Sequence, residues 1–148
     1  MKTLRQIEAE VTAFGKRIGA SKQDLPTFGQ STDGARPHVE IANDLYHYVV
    51  VERGQELERS SSPRYEDLLF WIFKDVTHNL AFTYELTNRI EDQDCRRIAF
   101  PKQVEFMKQL GLEMGERMEK HIADILSRAP YDDEPTKALN RMRKSNAS

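Results

Sequence analysis

The stretch that decides the fold runs from residue 38 to residue 51 and reads HVEIANDLYHYVVV. Its first part alternates polar and apolar residues, and its second part, from Leu45 onward, is rich in aromatic and β-branched residues. Both features are typical of β-strands, and Asn43-Asp44 between them is a common turn sequence. The stretch therefore predicts a β-hairpin.

The hairpin continues into a second turn at Arg53-Gly54, after which residues 55–60 can form a third strand. Before the hairpin, Pro and Gly residues punctuate residues 20–37, which read as a loop. The hairpin region thus predicts a small antiparallel sheet of two or three strands, which needs another element to cover one face.

Amphipathic helices flank this sheet in sequence. An apolar stripe with spacings of three and four predicts a helix from Leu4 to Ile18, N-capped by Thr3. A wider stripe, with Ser62 as N-cap and Pro63 at the first helical position, predicts a second helix over 64–90. We expect a hinge over 91–101 and one continuous helix over 102–129. In that helix, the two glycines of Gly111-x-x-x-Gly115 mark close packing against another backbone.

The resulting fold class is α+β: a helix-dominated single domain over residues 1–148, with a β-hairpin or three-stranded meander packed on a central helix. We expect an ordered core over about residues 3–130 and a frayed tail over about 135–148. Trp71 and Phe73 point in different directions on the 64–90 helix, so we expect that helix to be covered on more than one side.

Composition excludes several classes of protein. The 148 residues include 24 acidic and 22 basic side chains, and the resulting net charge of −2 argues against direct nucleic-acid binding. A single cysteine, Cys95, excludes an internal disulfide framework. No apolar run approaches the roughly 18 residues of a membrane span, and Glu8 lies where a signal peptide would be apolar. We expect a cytoplasmic protein with no membrane association.

No motif makes a case for an enzyme. The four histidines show no metal-binding spacing, so we expect no metal and no cofactor. Cys95 precedes Arg96 and Arg97, which would lower the pKa of its thiol, but no catalytic-cysteine signature accompanies it. We expect no catalytic residues.

Protein binding is the remaining chemistry, and the hairpin is its candidate surface. We expect Leu45, His47, Val49 and Val51 to pack on the helix and the alternate side chains to be partly exposed. In the alternative reading, both tyrosines of the exposed set lie at the edge of the core with hydroxyls in water. The candidate binding residues are Tyr46, Tyr48, Glu52, Arg53, Glu56, Glu58 and Arg59.

Eight blocks of the sequence form a recognisable pattern over roughly residues 5–130: 25–29, 35–40, 46–56, 67–77, 84–86, 89–94, 96–97 and 102–103. The most specific part is Glu-Arg-Gly-Gln-Glu at 52–56, which follows an aromatic strand. Together these blocks resemble the immunity protein 63 family of bacterial polymorphic toxin systems.

The resemblance implies an antidote that binds and blocks a toxin domain in the producing cell. Toxins of such systems are often nucleases, whose basic cleft an acidic patch could occupy. The densest acidic candidates are Glu52, Glu56, Glu58, Glu66 and Asp67, interspersed with Arg53, Arg59 and Arg64. If the hairpin does not bind, the acidic segments 91–94 and 131–134 are the next candidates. Two other functions remain open: a cytoplasmic adaptor without a toxin partner, and a small enzyme that uses a histidine and a carboxylate.

Overall fold

A computed structural model describes residues 1–32 and 34–147. The chain divides into two compact units, Met1–Val76 and Thr77–Ser148. Within the described residues, none of the helices is both long and apolar enough to span a bilayer. The α+β class with a helical majority is confirmed.

The first unit begins with helix α1, Leu4–Arg17. Its start is fixed by a capping box: the Thr3 hydroxyl accepts from the N–H of Gln6, and the Gln6 side chain accepts from the N–H of Thr3. The apolar stripe is the buried face, on which Ile7 and Val11 have no exposed surface. The predicted first helix and its cap are confirmed.

A four-stranded sheet follows, with strands β1 (Thr27–Phe28), β2 (His38–Ala42), β3 (Leu45–Glu52) and β4 (Gln55–Ser62) in that spatial order. Strands β2, β3 and β4 form the predicted antiparallel meander. Both connections are two-residue turns with positive φ at both positions, 55° and 60° at Asn43-Asp44 and 53° and 73° at Arg53-Gly54. This is the type I′ geometry that matches the twist of a hairpin.

Strand β1 was not predicted. It pairs in parallel with β2, and a single turn of 3-10 helix, Lys22–Asp24, precedes it. The region predicted as one loop over 20–37 therefore contains two short elements. Each is too short to produce a periodic pattern, and the surrounding prolines and glycines dominate the local signal.

Helix α2, Tyr65–Thr87, crosses the boundary between the two units. It begins one residue after the start of the predicted range and two residues after Pro63, which was expected at the first helical position. The Ser62 hydroxyl nevertheless serves the helix start: it accepts from the N–H of Arg64 and donates to the Asp67 carboxylate. In the first unit, the α2 ring of Phe73 is fully buried and lies edge-to-face against Phe14 of α1.

The second unit contains helices α3 (Arg96–Leu110), α4 (Leu112–Arg128) and α5 (Glu134–Ala147). The hinge predicted over 91–101 is wrong in its second half, because Pro101 lies inside α3. Asp94 explains the earlier start, since its carboxylate accepts from the N–H of Arg96 at 2.9 Å, as a capping group does.

The single helix predicted over 102–129 is also wrong, because Gly111 separates α3 from α4. Gly115 fits the close-packing prediction. A Cβ atom at position 115 would lie 2.3 Å from Cγ and 3.3 Å from Cα of Lys108, so the glycine lets α4 approach α3 closely.

The last fourteen described residues form helix α5, where a frayed tail was expected. No residue of α5 is buried. Asn140 of α5 donates to Asp92, and Lys144 of α5 forms an ion pair with Glu91. The helix thus contacts the segment before α3 through polar groups. Whether it frays at its end stays a prediction.

Candidate functional site

The predicted binding residues fall into two groups. Glu52 and Arg53 lie at the β3–β4 turn, Glu56, Glu58 and Arg59 lie on β4, and all five are exposed. With Leu57, which is 57% exposed, they form what we call the β4 surface. The two tyrosines of the predicted set do not belong to it.

Tyr46 and Tyr48 are buried, with exposures of 3% and 7%. The expectation that their side of β3 is exposed is therefore wrong, and so is the assignment of the alternate set to the helix. The Tyr46 ring lies 5.7 Å from that of Tyr65 on α2, and Tyr48 bonds to Asp75 on the same helix. The tyrosine side of β3 thus faces α2, and Tyr46 and Tyr48 expose almost no surface.

Both tyrosine hydroxyls have partners inside the protein, which also contradicts the alternative that they lie in water. The Tyr48 hydroxyl donates to Asp75 at 2.7 Å, and burial together with the negative charge of Asp75 raises the pKa of Tyr48. The Tyr46 hydroxyl accepts from the Lys2 backbone N–H at 2.9 Å. These bonds make it possible to bury two tyrosines where aliphatic residues were expected.

The other side of β3 is also buried, with exposures of 7% at His47 and 1% at Val49, and it carries polar side chains of the sheet. The His47 ring bonds to the Ser61 hydroxyl through Nδ1 at 2.7 Å and to the Ala42 carbonyl through Nε2 at 3.1 Å. Nε2 of His38 lies 3.4 Å from the Glu40 carboxylate. His47 therefore has a structural role, because both ring nitrogens are used within the sheet.

The charges of the β4 surface are unevenly paired. Arg59 bonds to both Glu56 and Glu40, so its positive charge is shared between two carboxylates. Glu52 and Glu58 form no ion pair within the described residues. The negative charge of Glu58 also raises the pKa of Tyr48, although burial and Asp75 have larger effects. Among the described residues, the β4 surface therefore presents the unpaired carboxylates of Glu52 and Glu58 to solvent, together with the unpaired guanidinium of Arg53.

Asp67 and Glu66, which also belong to the predicted acidic patch, are less available to a binding partner. Asp67 accepts from Ser62, and Glu66 lies 3.8 Å from Arg64. Unpaired negative charge is thus concentrated at Glu52 and Glu58.

The two other acidic segments, 91–94 and 131–134, meet in the second unit. Asp94 accepts from the Arg96 side chain and from the N–H of Asp132, while Asp133 accepts from Arg97 and from the N–H of Asp94. Hydrogen bonds from Arg96 outweigh the effect of burial and lower the pKa of Asp94 to about 2. These carboxylates are used to join two loops, which leaves them less free to bind a partner.

Cys95 lies beside this cluster and is half-buried. Burial and the negative charges of Glu85 and Asp94 raise the pKa of its thiol. The expectation that Arg96 and Arg97 would lower it is wrong, because both guanidinium groups bond to aspartates. A raised pKa is the opposite of what a nucleophilic cysteine needs.

An enzyme that uses a histidine and a carboxylate needs a cavity in which the two meet, and three cavities are present in the described part of the chain. Their volumes are about 410, 270 and 360 Å³. Histidine lines none of the three, and the described residues contain no group of three or more His, Cys, Asp or Glu that could hold a metal ion. The pairing of a histidine with a carboxylate in a pocket, which the enzyme hypothesis requires, does not occur in these cavities.

Comparison with known protein families gives a match. The model of the family described as Immunity protein 63 matches residues 43–124, a range that includes β3, β4, α2, α3 and most of α4. No curated protein and no solved structure matches the chain. The match covers more than half of the chain and includes the whole β4 surface. This chain belongs to the immunity protein 63 family.

Proposed function

We propose that this protein binds a bacterial toxin domain in the cytoplasm of the cell that produces it and blocks the activity of that domain. Membership of the immunity protein 63 family supports a toxin-neutralising role. The observation that carries the proposal further is the β4 surface: an exposed, charged strand at the edge of the sheet, within the residues that match the family.

Neutralisation by binding needs no catalytic group but demands high affinity. An inhibitor that competes with the toxin's own target needs a dissociation constant in the nanomolar range, which corresponds to about −12 kcal/mol. Charge complementarity increases the association rate and selects the partner. The unpaired carboxylates of Glu52 and Glu58 favour a partner with a basic surface. A nuclease with a basic substrate cleft is such a partner, and we propose this class of toxin.

The test asks whether a large modular protein with a C-terminal toxin domain is encoded beside this chain, and co-expresses that domain with it. We expect the two proteins to purify together and growth to be rescued from that domain's toxicity. No complex and no rescue would contradict the proposal. Retention of an unrelated cytoplasmic protein instead would favour an adaptor.

A charge reversal locates the binding surface. Glu58→Lys should weaken the complex by roughly ten- to a hundredfold and make its affinity less sensitive to salt. The matched control is Glu116→Lys, which makes the same change on the exposed side of α4. Equal effects of the two variants would indicate a response to net charge and not to the β4 surface.

A further inference from the structure

We infer that strand β4 receives an extended segment of the toxin domain as an additional strand of the sheet, recognised through the outward main-chain groups of Arg59 and Ser61. The inference rests on the proposed function and specifies how the same surface binds. Strand addition at an open sheet edge is a common mode of peptide recognition, in which main-chain hydrogen bonds supply affinity and side chains supply specificity.

The direction of the main-chain groups follows from the hydrogen bonds of β3. The Val51 carbonyl accepts from the N–H of Ala35, which lies on the β2 side of β3, at 3.1 Å. The N–H and C=O of one residue point to the same side of a strand, and the side alternates along the chain. The main-chain groups of Val51, Val49 and His47 therefore point away from β4.

The residues opposite these three on β4 are Glu56, Arg59 and Ser61. Because their β3 partners bond elsewhere, their own N–H and C=O groups point outward, away from the sheet. The described residues provide no backbone partner for these outward groups. β4 therefore has donors and acceptors available along its outer edge.

The two edges of the sheet differ in their capacity for a new strand. β1, at one edge, is two residues long, and Pro26 precedes it. β4, at the other edge, has eight residues and no proline; its charged side chains and its bulge blunt only the part up to Arg59. A strand of ordinary length can add only at β4.

A bulge limits where the new strand can pair. The register shifts between Val50 and Val51, so that Leu57 is an extra residue on β4. Bulges interrupt regular pairing. The regular part of the outer edge therefore lies beyond Leu57, where the outward groups of Arg59 and Ser61 have the two-residue spacing of a ladder.

The negative charge of Glu58 indicates which side chains the added strand should carry. Glu58 lies on the side of the sheet that faces α2, near Tyr48 and its partner Asp75, and has no ion pair in the described part of the chain. A lysine or arginine on the toxin strand, opposite Glu58, would be stabilised there. The expected occupant is thus an extended, basic segment of the toxin domain.

The test compares Ser61→Pro with Ser61→Ala. Both variants lose the hydroxyl that bonds to His47, but only proline removes the outward N–H, and proline is tolerated at edge positions. With the C-terminal toxin domain named above, we expect Ser61→Ala to bind like the wild type and Ser61→Pro to bind at least roughly thirtyfold more weakly. Circular dichroism establishes that each variant is folded.

Residue-resolved hydrogen exchange provides a second measurement on the unaltered protein. We expect the amides of Arg59 and Ser61 to exchange about tenfold or more slowly in the complex, while that of Ser60, which bonds to β3, changes little. A complex without this protection, and with equal binding by both variants, would overturn strand addition and leave the proposed function intact. Protection that increases with the concentration of this protein alone would instead indicate pairing with a second copy and overturn the inference.

Discussion

The hydroxyl of Tyr48 on strand β3 donates a hydrogen bond of 2.7 Å to the carboxylate of Asp75 on helix α2. The bond joins residues 27 positions apart and links the sheet to the helix that covers it. It also explains how the tyrosine side of β3 can face this helix, because a buried phenol needs a partner for its hydroxyl.

Tyr48→Phe should lower the free energy of unfolding by about 1–3 kcal/mol, because it removes the donor and leaves the Asp75 carboxylate without this bond. Urea denaturation measures the change. Tyr84→Phe, at a tyrosine that is 39% exposed, is the control and should change stability by less than about 0.5 kcal/mol. A similar small loss in both variants would show that the Tyr48–Asp75 bond adds nothing.

The Tyr48–Asp75 bond involves a side of β3 whose orientation could not be predicted from the sequence, whereas other features of the sheet could. Both turns of the meander were predictable, because Asn43-Asp44 and Arg53-Gly54 are local signals for left-handed backbone. The side of β3 that faces α2 was not, because its two alternating sets are both rich in apolar or aromatic residues and both are buried over residues 46–49. The choice depends on a partner on another element, which alternation along one strand cannot reveal.

In the second unit, two helix boundaries could not be predicted from the sequence. The apolar period continues through Gly111, so the hydrophobic pattern does not change at the point where α3 ends and α4 begins. Pro101 suggested that a helix begins after residue 101. The helix begins at Arg96 instead, where the Asp94 carboxylate accepts from the main-chain N–H. The exposure of the charged residues of the candidate surface was predictable from the sequence. The burial of Tyr46 and Tyr48 was not.

Phe73→Ala should destabilise the protein by about 3–5 kcal/mol, because the ring is fully buried and packs edge-to-face on Phe14. Denaturant melts monitored by circular dichroism provide the measurement. Leu86→Ala is the matched control in the same helix: its side chain is 64% exposed, and the expected loss is below about 1 kcal/mol. A loss that small for Phe73→Ala would contradict the packing described for this side chain.

Gly115→Ala should cost about 1–3 kcal/mol, because the new Cβ would lie 2.3 Å from Cγ of Lys108 and would separate α4 from α3. Gly111→Ala is the control. The nearest atom to its new Cβ is 4.0 Å away, and its φ of 163° is extended backbone that alanine adopts. Thermal melts that rank the two variants in the opposite order would disprove close packing at Gly115.

Protonation of Asp94 should lower the free energy of unfolding in acid. Its pKa is lowered to about 2 from an ordinary value of 3.8, chiefly by Arg96. A carboxylate with a depressed folded-state pKa stabilises the protein above its unfolded-state pKa, and this stability is lost as pH falls toward 2. With screening by solvent, we expect a loss of about 1 kcal/mol between pH values near 5 and near 2. Urea denaturation at both values should show a smaller acid loss for Asp94→Asn than for the wild type. Equal losses would mean that Asp94 titrates alike in the folded and unfolded states.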